Sequence, residues 1–307
     1  MNELYAMRDV SQKHATLRTA VASASLLVSA ATIKAIRTGN VPKADPLGVA
    51  KVAAIAAAKQ TSLIIPYCHQ VPLDYVAVDI RLAARGIGIR TEVKAIWKTG
   101  VEMEALVAAS TAALTLYDML KIIDADIEIR SVALIEKKGG KSALTIDGKG
   151  RTAAVLVVSD STSKGTRADR SGKYLVERLK ALRFNVRAYN VVPDEREINE
   201  MKLLKFADKD HIDLVLTTGG TGMSPRDVTP EATAAVIERR MEGVEEAARS
   251  FGQDRIPMAM LSRAVAGVRG KTVIINLPGS TSAVRDGMDA LFPAILHTFR
   301  MMNAGGH

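Results

Sequence analysis

The sequence predicts two domains, an α+β domain followed by a layered α/β domain. At 307 residues the chain is long enough for two domains that each bury a core. The first half mixes alanine-rich stretches with segments that alternate like antiparallel strands, whereas the second half alternates apolar strands with helical segments. A segment rich in glycine and lysine at 139–152 separates the halves, and we interpret it as a linker. The expected domains are 1–147 and 148–307.

In the first half, three segments predict helices and three predict strands. The helical segments are 16–37, 47–60 and 102–123. The strand segments are 74–82, 86–98 and 127–136. This mixture indicates an antiparallel sheet with helices packed on one face.

The second half repeats a strand and helix order that favours a parallel sheet. The predicted strands are 153–159, 185–192, 213–218 and 271–276, and the predicted helices are 171–183, 195–209 and a segment from Glu231. Ligands of such domains gather where the strands end. We therefore expect the loops at 159–161, 217–222 and 276–280 to converge.

The loop TTGGTG at 217–222 is the strongest local signal of a site. Its glycines permit close backbone approach, and a predicted helix start at 229–231 offers free N–H groups that favour a phosphate. Thr229 is the expected N-cap. No Gly-Lys-Ser/Thr follows, so the loop is not a Walker A motif, and a tight structural turn is the alternative. Arg226 and Asp227, a cation and a potential magnesium ligand, favour function.

Composition limits the kinds of partner. The net charge is +9 and is spread over both halves, which indicates solvated lysines or, alternatively, attraction of polyanionic substrates. Aromatic residues make up 4% of the chain, so nucleic acid is not an expected partner. The single cysteine, Cys68, excludes an internal disulfide and fits a cytoplasmic location. We find no secretory segment and no apolar run that spans a bilayer, so no membrane partner is expected.

Several polar residues of the first half have ordinary explanations when taken alone. Cys68 and His69 form half a metal site, but zinc usually needs four ligands and no second pair is present. Glu102 and Glu104 suit the first turn of any helix. The spacing of Asp118 and Lys121 by itself indicates a surface ion pair.

Six segments of the first half together resemble the MoaC family, the cyclic pyranopterin monophosphate synthases. They are DVS at 9–11, KAD at 43–45, IPYCH at 65–69, KTGVEMEAL at 98–106, LYDMLK at 116–121 and GGKS at 139–142. Ala44 and Gln70 depart from the usual glycine and proline of the family. The resemblance implies a ferredoxin-like domain that converts a cyclised dihydroguanosine triphosphate into cyclic pyranopterin monophosphate and releases pyrophosphate. No metal is obligatory for its proton transfers.

The same resemblance assigns roles to individual residues. It implies general acid and base roles for Asp118 and Lys121, while Lys43 holds the triphosphate or moves a proton. The implied substrate contacts are Tyr67, Cys68, His69, Met103, Glu104 and Lys141. Simple packing is the alternative for Cys68 and Met103. Because the family's sites lie between subunits, a homo-oligomer is expected.

Seven segments of the second half resemble the MoaB/MogA family, the molybdopterin adenylyltransferases. They are VSD at 158–160, DRSG at 169–172, VPDE at 192–195, TTGGTG at 217–222, RDVTP at 226–230, LSR at 261–263 and NLPGS at 276–280. The resemblance implies a three-layer α/β/α domain with a mostly parallel, MogA-like sheet. The implied reaction transfers AMP from MgATP to molybdopterin, with no tightly bound organic cofactor.

Asp194 and Asp227 take the family's two functional aspartate positions, as catalytic residues and possible Mg²⁺ ligands. A plain turn residue after Pro193 is the alternative for Asp194. The implied substrate contacts are Ser159, Asp160, Gly219, Gly220, Thr221, Gly222, Asn276, Pro278, Gly279 and Ser280.

The two resemblances together imply a fused enzyme of molybdenum cofactor biosynthesis that acts on a pterin triphosphate and on molybdopterin. One alternative is an active synthase joined to a noncatalytic pterin-binding or assembly domain. A noncatalytic scaffold and a nucleic-acid binder are the alternatives from other classes. A trimer or hexamer would satisfy the symmetry expected of both halves. Sulfur insertion stands between the two reactions, so we expect no direct transfer between the sites.

Overall fold

The computed structural model describes residues 5–140 and 146–302. The chain divides into two compact units, Met1–Ala143 and Leu144–His307, and each has its own buried apolar core. Lys141 lies outside the described residues, so its implied substrate contact stays a prediction.

The first unit is built on a four-stranded sheet in the order β2-β3-β1-β4, in which every paired neighbour is antiparallel. Its strands are β1 (Thr16–Leu27), β2 (Tyr75–Leu82), β3 (Gly86–Trp97) and β4 (Glu128–Lys138). Its helices are α1 (Ala30–Thr38), α2 (Pro46–Lys59), α3 (Thr61–Ile64) and α4 (Glu102–Leu120). This order and connectivity is the ferredoxin-like pattern, which confirms the predicted fold class.

The prediction of a helix over 16–37 was wrong, because β1 occupies its first half and α1 begins only at Ala30. Strand β1 lies in the sheet interior, between β3 and β4. Its Ala20, Ala22 and Ala24 recur with period two and are buried in the same cluster as the alanines of α4. Alanine favours helices in isolation, but in this strand the small side chains let α4 approach the sheet closely.

Helix α4 is the core helix of the first unit. Five alanines at positions 105, 108, 109, 112 and 113 are buried, and the helix contacts β1, β3, β4 and α2. In the described part of the chain, it alone is long and apolar enough to span a membrane by length and composition. Its buried alanine face explains that apolar character as core packing. The helix carries Glu104 near its start and Asp118 near its end.

The second unit has a six-stranded sheet in the order β6-β5-β7-β10-β9-β8. Its strands are β5 (Thr152–Val158), β6 (Asn185–Val192), β7 (Leu214–Thr218), β8 (Arg239–Arg240), β9 (Ala266–Arg269) and β10 (Thr272–Leu277). The pairs β5–β6, β5–β7 and β7–β10 are parallel, and β9 and β8 continue the sheet in antiparallel pairs.

Two separate apolar clusters pack on this sheet. The helices are α5 (Asp160–Ser163), α6 (Ser171–Ala181), α7 (Arg196–Leu204), α8 (Thr229–Val236), α9 (Glu242–Gln253), α10 (Thr281–Leu291) and α11 (Thr298–Met302). Helices α6 and α10 contribute to one cluster, and α7 and α8 contribute to the other. The sheet is therefore the middle of three layers, as predicted.

Two local expectations need correction in the second unit. The helix predicted over 195–209 is α-helical only to Leu204 and continues as a π-helical turn at Lys205–Lys209. Thr229 is the first residue of α8 instead of its N-cap, and no side chain caps this helix. Its hydroxyl is buried, and its backbone N–H donates to the Gly220 carbonyl oxygen at 3.1 Å.

Candidate active sites

Two lysines converge on one carboxylate at the end of α4. Lys43 Nζ donates to Asp118 Oδ2 at 2.8 Å and to the Asp118 carbonyl oxygen at 3.0 Å. Lys121 Nζ lies 2.8 Å from Asp118 Oδ1. The structure thus unites the three residues implied to be catalytic, although Lys43 is distant from the other two in sequence.

The charges of this cluster control its proton affinities. Hydrogen bonds from Lys121 and then Lys43 lower the pKa of Asp118 to about 2, and the hydrogen bond to Asp118 raises the pKa of Lys121. Asp118 is consequently a weak base, and Lys121 is held as a cation. The arrangement suits proton donation and neutralisation of phosphate charge better than proton abstraction.

A second group of implied contact residues lines a cavity of about 310 Å³ beside the start of α4. It contains Tyr67, Cys68, His69, Met103 and Glu104. Burial followed by the Glu104 charge raises the pKa of the Cys68 thiol. Burial followed by the Glu102 charge raises the pKa of Glu104. Cys68 is therefore held as a thiol, which does not favour a metal ligand, and no metal-binding group of three or more side chains occurs among the described residues.

The two groups lie at opposite ends of α4. Glu104 and Asp118 are fourteen residues apart on one continuous helix. At the helical rise, that spacing corresponds to about 21 Å along the helix axis. In one copy of the chain, the cavity residues and the lysine cluster therefore do not face a common small ligand.

In the second unit, the strand ends converge as predicted. Ser159 and Asp160 follow β5, Asp194 follows β6, and the loop 219–222 follows β7. The loop 278–280 follows β10, whose neighbour in the sheet is β7. A cavity of about 690 Å³ is lined by residues of all four strand ends, including Ser159, Asp194, Gly219, Gly220, Asp227, Gly279 and Ser280.

Asp160 and Asp194 hold their two loops together by reciprocal hydrogen bonds. The Asp160 N–H donates to Asp194 Oδ2 at 3.0 Å, and the Asp194 N–H donates to Asp160 Oδ1 at 3.1 Å. Arg226 Nη2 also donates to Asp160 Oδ2 at 2.8 Å and Oδ1 at 2.9 Å. The Arg226 hydrogen bond lowers the pKa of Asp160, whereas burial, aided by the Asp160 and Asp227 charges, raises the pKa of Asp194.

The glycines of the loop 219–222 are required by local space. A Cβ on Gly219, where φ is 101°, would lie 2.1 Å from the Val158 carbonyl oxygen. A Cβ on Gly220 would lie 2.4 Å from Thr229 Oγ1 and 2.7 Å from Asp194 Oδ1. Both of these oxygens are buried without a hydrogen-bond partner in the described residues. Gly220 thus leaves open a small space on which two unsatisfied oxygens converge.

The donor set next to this space fits a hard cation. Asp194 Oδ1 is an orphaned buried carboxylate oxygen, and Asp227, which lines the same cavity, uses Oδ2 to accept the Ser224 N–H at 2.9 Å. Magnesium is commonly held by one or two carboxylates together with substrate phosphates and water. Asp194 and Asp227 therefore fit the metal role that the sequence assigns to them.

Arg263 positions the loop, a role that sequence reasoning missed. Its Nε donates to the Gly222 carbonyl oxygen at 2.8 Å, and its Nη2 donates to the Asp227 carbonyl oxygen at 2.6 Å. Its Nη1 pairs with Glu231. The arginine belongs to the LSR motif at 261–263, but only the folded chain shows that it ties the glycine loop to α8.

Asn276 and Ser280 have local structural partners. The buried Asn276 amide donates to Thr217 Oγ1 at 2.9 Å and Thr233 Oγ1 at 2.8 Å, and its oxygen accepts the Val265 N–H at 3.2 Å. Ser280 is the N-cap of α10 and its Oγ accepts the Ala283 N–H at 3.2 Å. Asn276 therefore holds the strand ends in place, while Ser280 also lines the polar cavity.

Each unit has its own polar site, and each unit matches a different family of enzymes. A model of the MoaC family matches residues 7–140, and a model described as a probable molybdopterin binding domain matches residues 154–297. The chain is 42% identical over 306 residues to a molybdenum cofactor biosynthesis bifunctional protein of Chlorobaculum tepidum, covering 100% of this chain and 97% of that protein. The chain belongs to this family of molybdenum cofactor biosynthesis bifunctional proteins.

Single-function relatives match each unit separately. A cyclic pyranopterin monophosphate synthase of Nostoc is 51% identical over 138 residues, which cover 44% of this chain and 82% of that protein. A molybdopterin adenylyltransferase of Helicobacter pylori is 45% identical over 143 residues, which cover 46% of this chain and 81% of that protein.

Proposed function

We propose that the first unit converts a cyclised dihydroguanosine triphosphate into cyclic pyranopterin monophosphate and pyrophosphate. The convergence of Lys43 and Lys121 on Asp118 carries this proposal. The two cations neutralise the charge that accumulates on the departing pyrophosphate, and a protonated lysine can donate a proton to a reacting oxygen. Asp118 orients both amines and raises the pKa of Lys121, which keeps that amine charged.

The separation along α4 supports a site shared between copies of the chain. The cavity at Tyr67–His69 and the Lys43 cluster are both implied to contact one substrate, yet in one copy about 21 Å along the helix axis separates the positions of Glu104 and Asp118. A second copy can bring its lysine cluster to the cavity of the first. The reaction therefore requires an oligomer.

Mixing two inactive variants tests this arrangement. Glu104→Gln disables the cavity group and Asp118→Asn disables the lysine group, so each alone should lose about 100-fold or more of its activity. After unfolding and refolding together, the mixture should regain activity, because some shared sites then carry both intact groups. Refolding of each variant alone is the control. A mixture that stays as inactive as its components contradicts a shared site.

For the second unit, we propose transfer of AMP from MgATP to the terminal phosphate of molybdopterin. The orphaned Asp194 oxygen above Gly220, next to Asp227, carries this proposal. A phosphate oxygen of molybdopterin attacks the α-phosphorus of ATP, the bond between the α-phosphorus and the bridging oxygen breaks, and pyrophosphate leaves with that oxygen. Magnesium, when bound, offsets negative charge on the phosphates.

The protein groups around that point bind and orient the phosphates. The Gly219 N–H already donates to the Leu277 carbonyl oxygen, so the N–H groups at 220–222 and at the first two residues of α10 are the uncharged donors offered to phosphate oxygens. Arg226 offers a guanidinium that can exchange its Asp160 partner for a phosphate. Arg263 keeps the loop and Asp227 in register through two carbonyl oxygens. Mass spectrometry of the adenylylated molybdopterin formed by wild type and by Asp227→Asn tests this reaction.

A further inference from the structure

A second cavity of about 550 Å³ adjoins the proposed transfer site. It shares Gly220, Asp227 and Gly279 with the polar cavity and extends between α9, α10 and the 3₁₀ turn at Pro257–Leu261. Its size is that of a typical small-molecule site. Small residues on α9 and α10 leave the space, and Met258 and Leu261 contribute apolar walls.

The cavity lining includes two buried carboxylates on neighbouring helices, and one of them already accepts several hydrogen bonds from the protein. Glu245 of α9 is 3% exposed and accepts hydrogen bonds from Arg240 at 2.8 and 2.9 Å and from the Ala266 N–H at 3.0 Å. These bonds fix Glu245 in the fold, so it has little capacity left for a ligand.

Asp286 of α10 differs from Glu245 in its hydrogen bonding. It is 9% exposed and lines the cavity, and its carboxylate accepts no hydrogen bond from the residues that the structure describes. It forms an ion pair with Arg255, whose Nε lies 3.7 Å from Oδ1, too far for a hydrogen bond. Burial raises the pKa of Asp286. The carboxylate thus has an ion-pair partner but no hydrogen-bond donor among the described residues, and a ligand that supplies donors adds hydrogen bonds that the fold does not provide.

We propose that Asp286 recognises the donor edge of a pterin ring held in this cavity, an inference that rests on the proposed function of the second unit. A pterin carries N3–H and its 2-amino group side by side, so the two oxygens of one carboxylate can accept one hydrogen bond from each in a bidentate contact. Adenine places its amino group beside an acceptor nitrogen, which would oppose the second carboxylate oxygen. The cavity therefore discriminates in favour of the pterin substrate over the base of ATP.

The position of the cavity agrees with this assignment. One part of its lining is Asp286 on α10, and another is Gly220 and Asp227 of the transfer site. A ring bound at Asp286 can therefore extend its phosphate-bearing arm toward Asp227. The polar cavity on the other side of Gly220 and Gly279 is left for the nucleotide phosphates.

Fluorescence titration of the full chain with pterin and with lumazine tests the proposal. Lumazine has an oxygen in place of the 2-amino group, so wild type should bind pterin about tenfold or more tightly than lumazine. In Asp286→Asn, the amide can accept from N3–H and donate to the lumazine oxygen, so the preference should reverse. Asp286→Ala should lose pterin affinity without gaining lumazine affinity.

Asp289→Asn is the matched control, since Asp289 lies on the same helix, pairs with Arg178 and is absent from the cavity lining. It should keep the wild-type preference, and all three variants should keep the wild-type affinity for a nonhydrolysable ATP analogue. An unchanged preference in Asp286→Asn overturns the proposal. The proposal is also overturned if the Asp286 variants lose affinity for the ATP analogue but keep their affinity for pterin, or if the wild type does not bind pterin.

The outcomes separate this inference from the proposed transfer. If wild type prefers pterin and Asp286→Asn reverses that preference, the inference holds even when no adenylylated molybdopterin forms. If the product forms but the preference does not depend on Asp286, the transfer stands and the inference fails.

Discussion

Asp160 and Asp194 show how neighbouring carboxylates acquire opposite properties. Arg226 stabilises the charge on Asp160, while burial disfavours the charge on Asp194, whose Oδ1 has no hydrogen-bond partner among the described residues. The motif comparison identifies both residues, but sequence spacing contains no information about which one is buried. Nor does any motif point to Asp286, because its lack of a hydrogen-bond donor among the described residues is a property of the folded cavity.

Because the two pKa shifts are opposite, replacing each aspartate with asparagine should change the thermal stability of the protein in opposite directions. A raised folded pKa means that the Asp194 charge destabilises the fold at pH values above the unfolded pKa. Asp194→Asn should therefore raise the Tm at pH 7, and the gain should shrink as the pH falls through the usual carboxyl range. The amide can also donate to the unpartnered Thr229 Oγ1. Adenylyl transfer should nevertheless fall about 100-fold or more.

Asp160→Asn is the paired measurement. In the wild type, the pKa of Asp160 is lower in the folded state than in the unfolded state. The Asp160 charge therefore stabilises the fold at pH values above the unfolded pKa, and this stability is lost as the pH falls through the folded pKa. Thermal unfolding from pH 3 to 8 should thus show a lower Tm for Asp160→Asn at neutral pH. If Asp194→Asn instead lowered the Tm at pH 7, the charge of the wild-type Asp194 would be stabilised in the folded protein, which would contradict this account.

At the scale of elements, the pattern of apolar residues predicts the strands β2 to β7 and β10, but it misassigns β1 and predicts neither α9 nor α10. Alternation of small residues in an interior strand and alanine richness in a helix give similar compositions, so only the partners β3 and β4 decide between them. The two-residue β8 and the short β9 were also missed. Short antiparallel additions to a parallel sheet have little periodicity to detect.

The glycine loop gives an element-scale prediction. Gly220→Ala combines a positive φ of 61° with contacts at 2.4 and 2.7 Å, so it should both destabilise the second unit and abolish adenylyl transfer. Gly270→Ala is the control, since it has a φ of 53° but no atom within 4 Å of the added Cβ. It should cost only the backbone strain, about 1–2 kcal/mol, and retain activity. Unfolding curves and transfer rates of both variants check this, and equal losses of transfer in the two would refute a specific role for the Gly220 space.

For the whole molecule, the fold supports two chemistries in two units with separate cores. The ferredoxin-like unit places its charged cluster and its cavity at opposite ends of one helix, which makes assembly part of the proposed first reaction. The three-layer unit gathers the ends of four parallel strands and contains both of its cavities. Sequence comparison predicts the residues of both sites, whereas their separation in the first unit and their convergence in the second require the fold.

The central claim is that the second unit is an adenylyltransferase and not only a binding domain. We would incubate wild type and Asp227→Asn with molybdopterin and MgATP and follow adenylylated molybdopterin by mass spectrometry. The variant can keep the Ser224 contact through its amide oxygen, so its fold should persist. We predict product from wild type and a loss of about 100-fold or more in Asp227→Asn. A folded wild type that binds molybdopterin and forms no product would contradict the claim and leave a synthase joined to a pterin-binding domain.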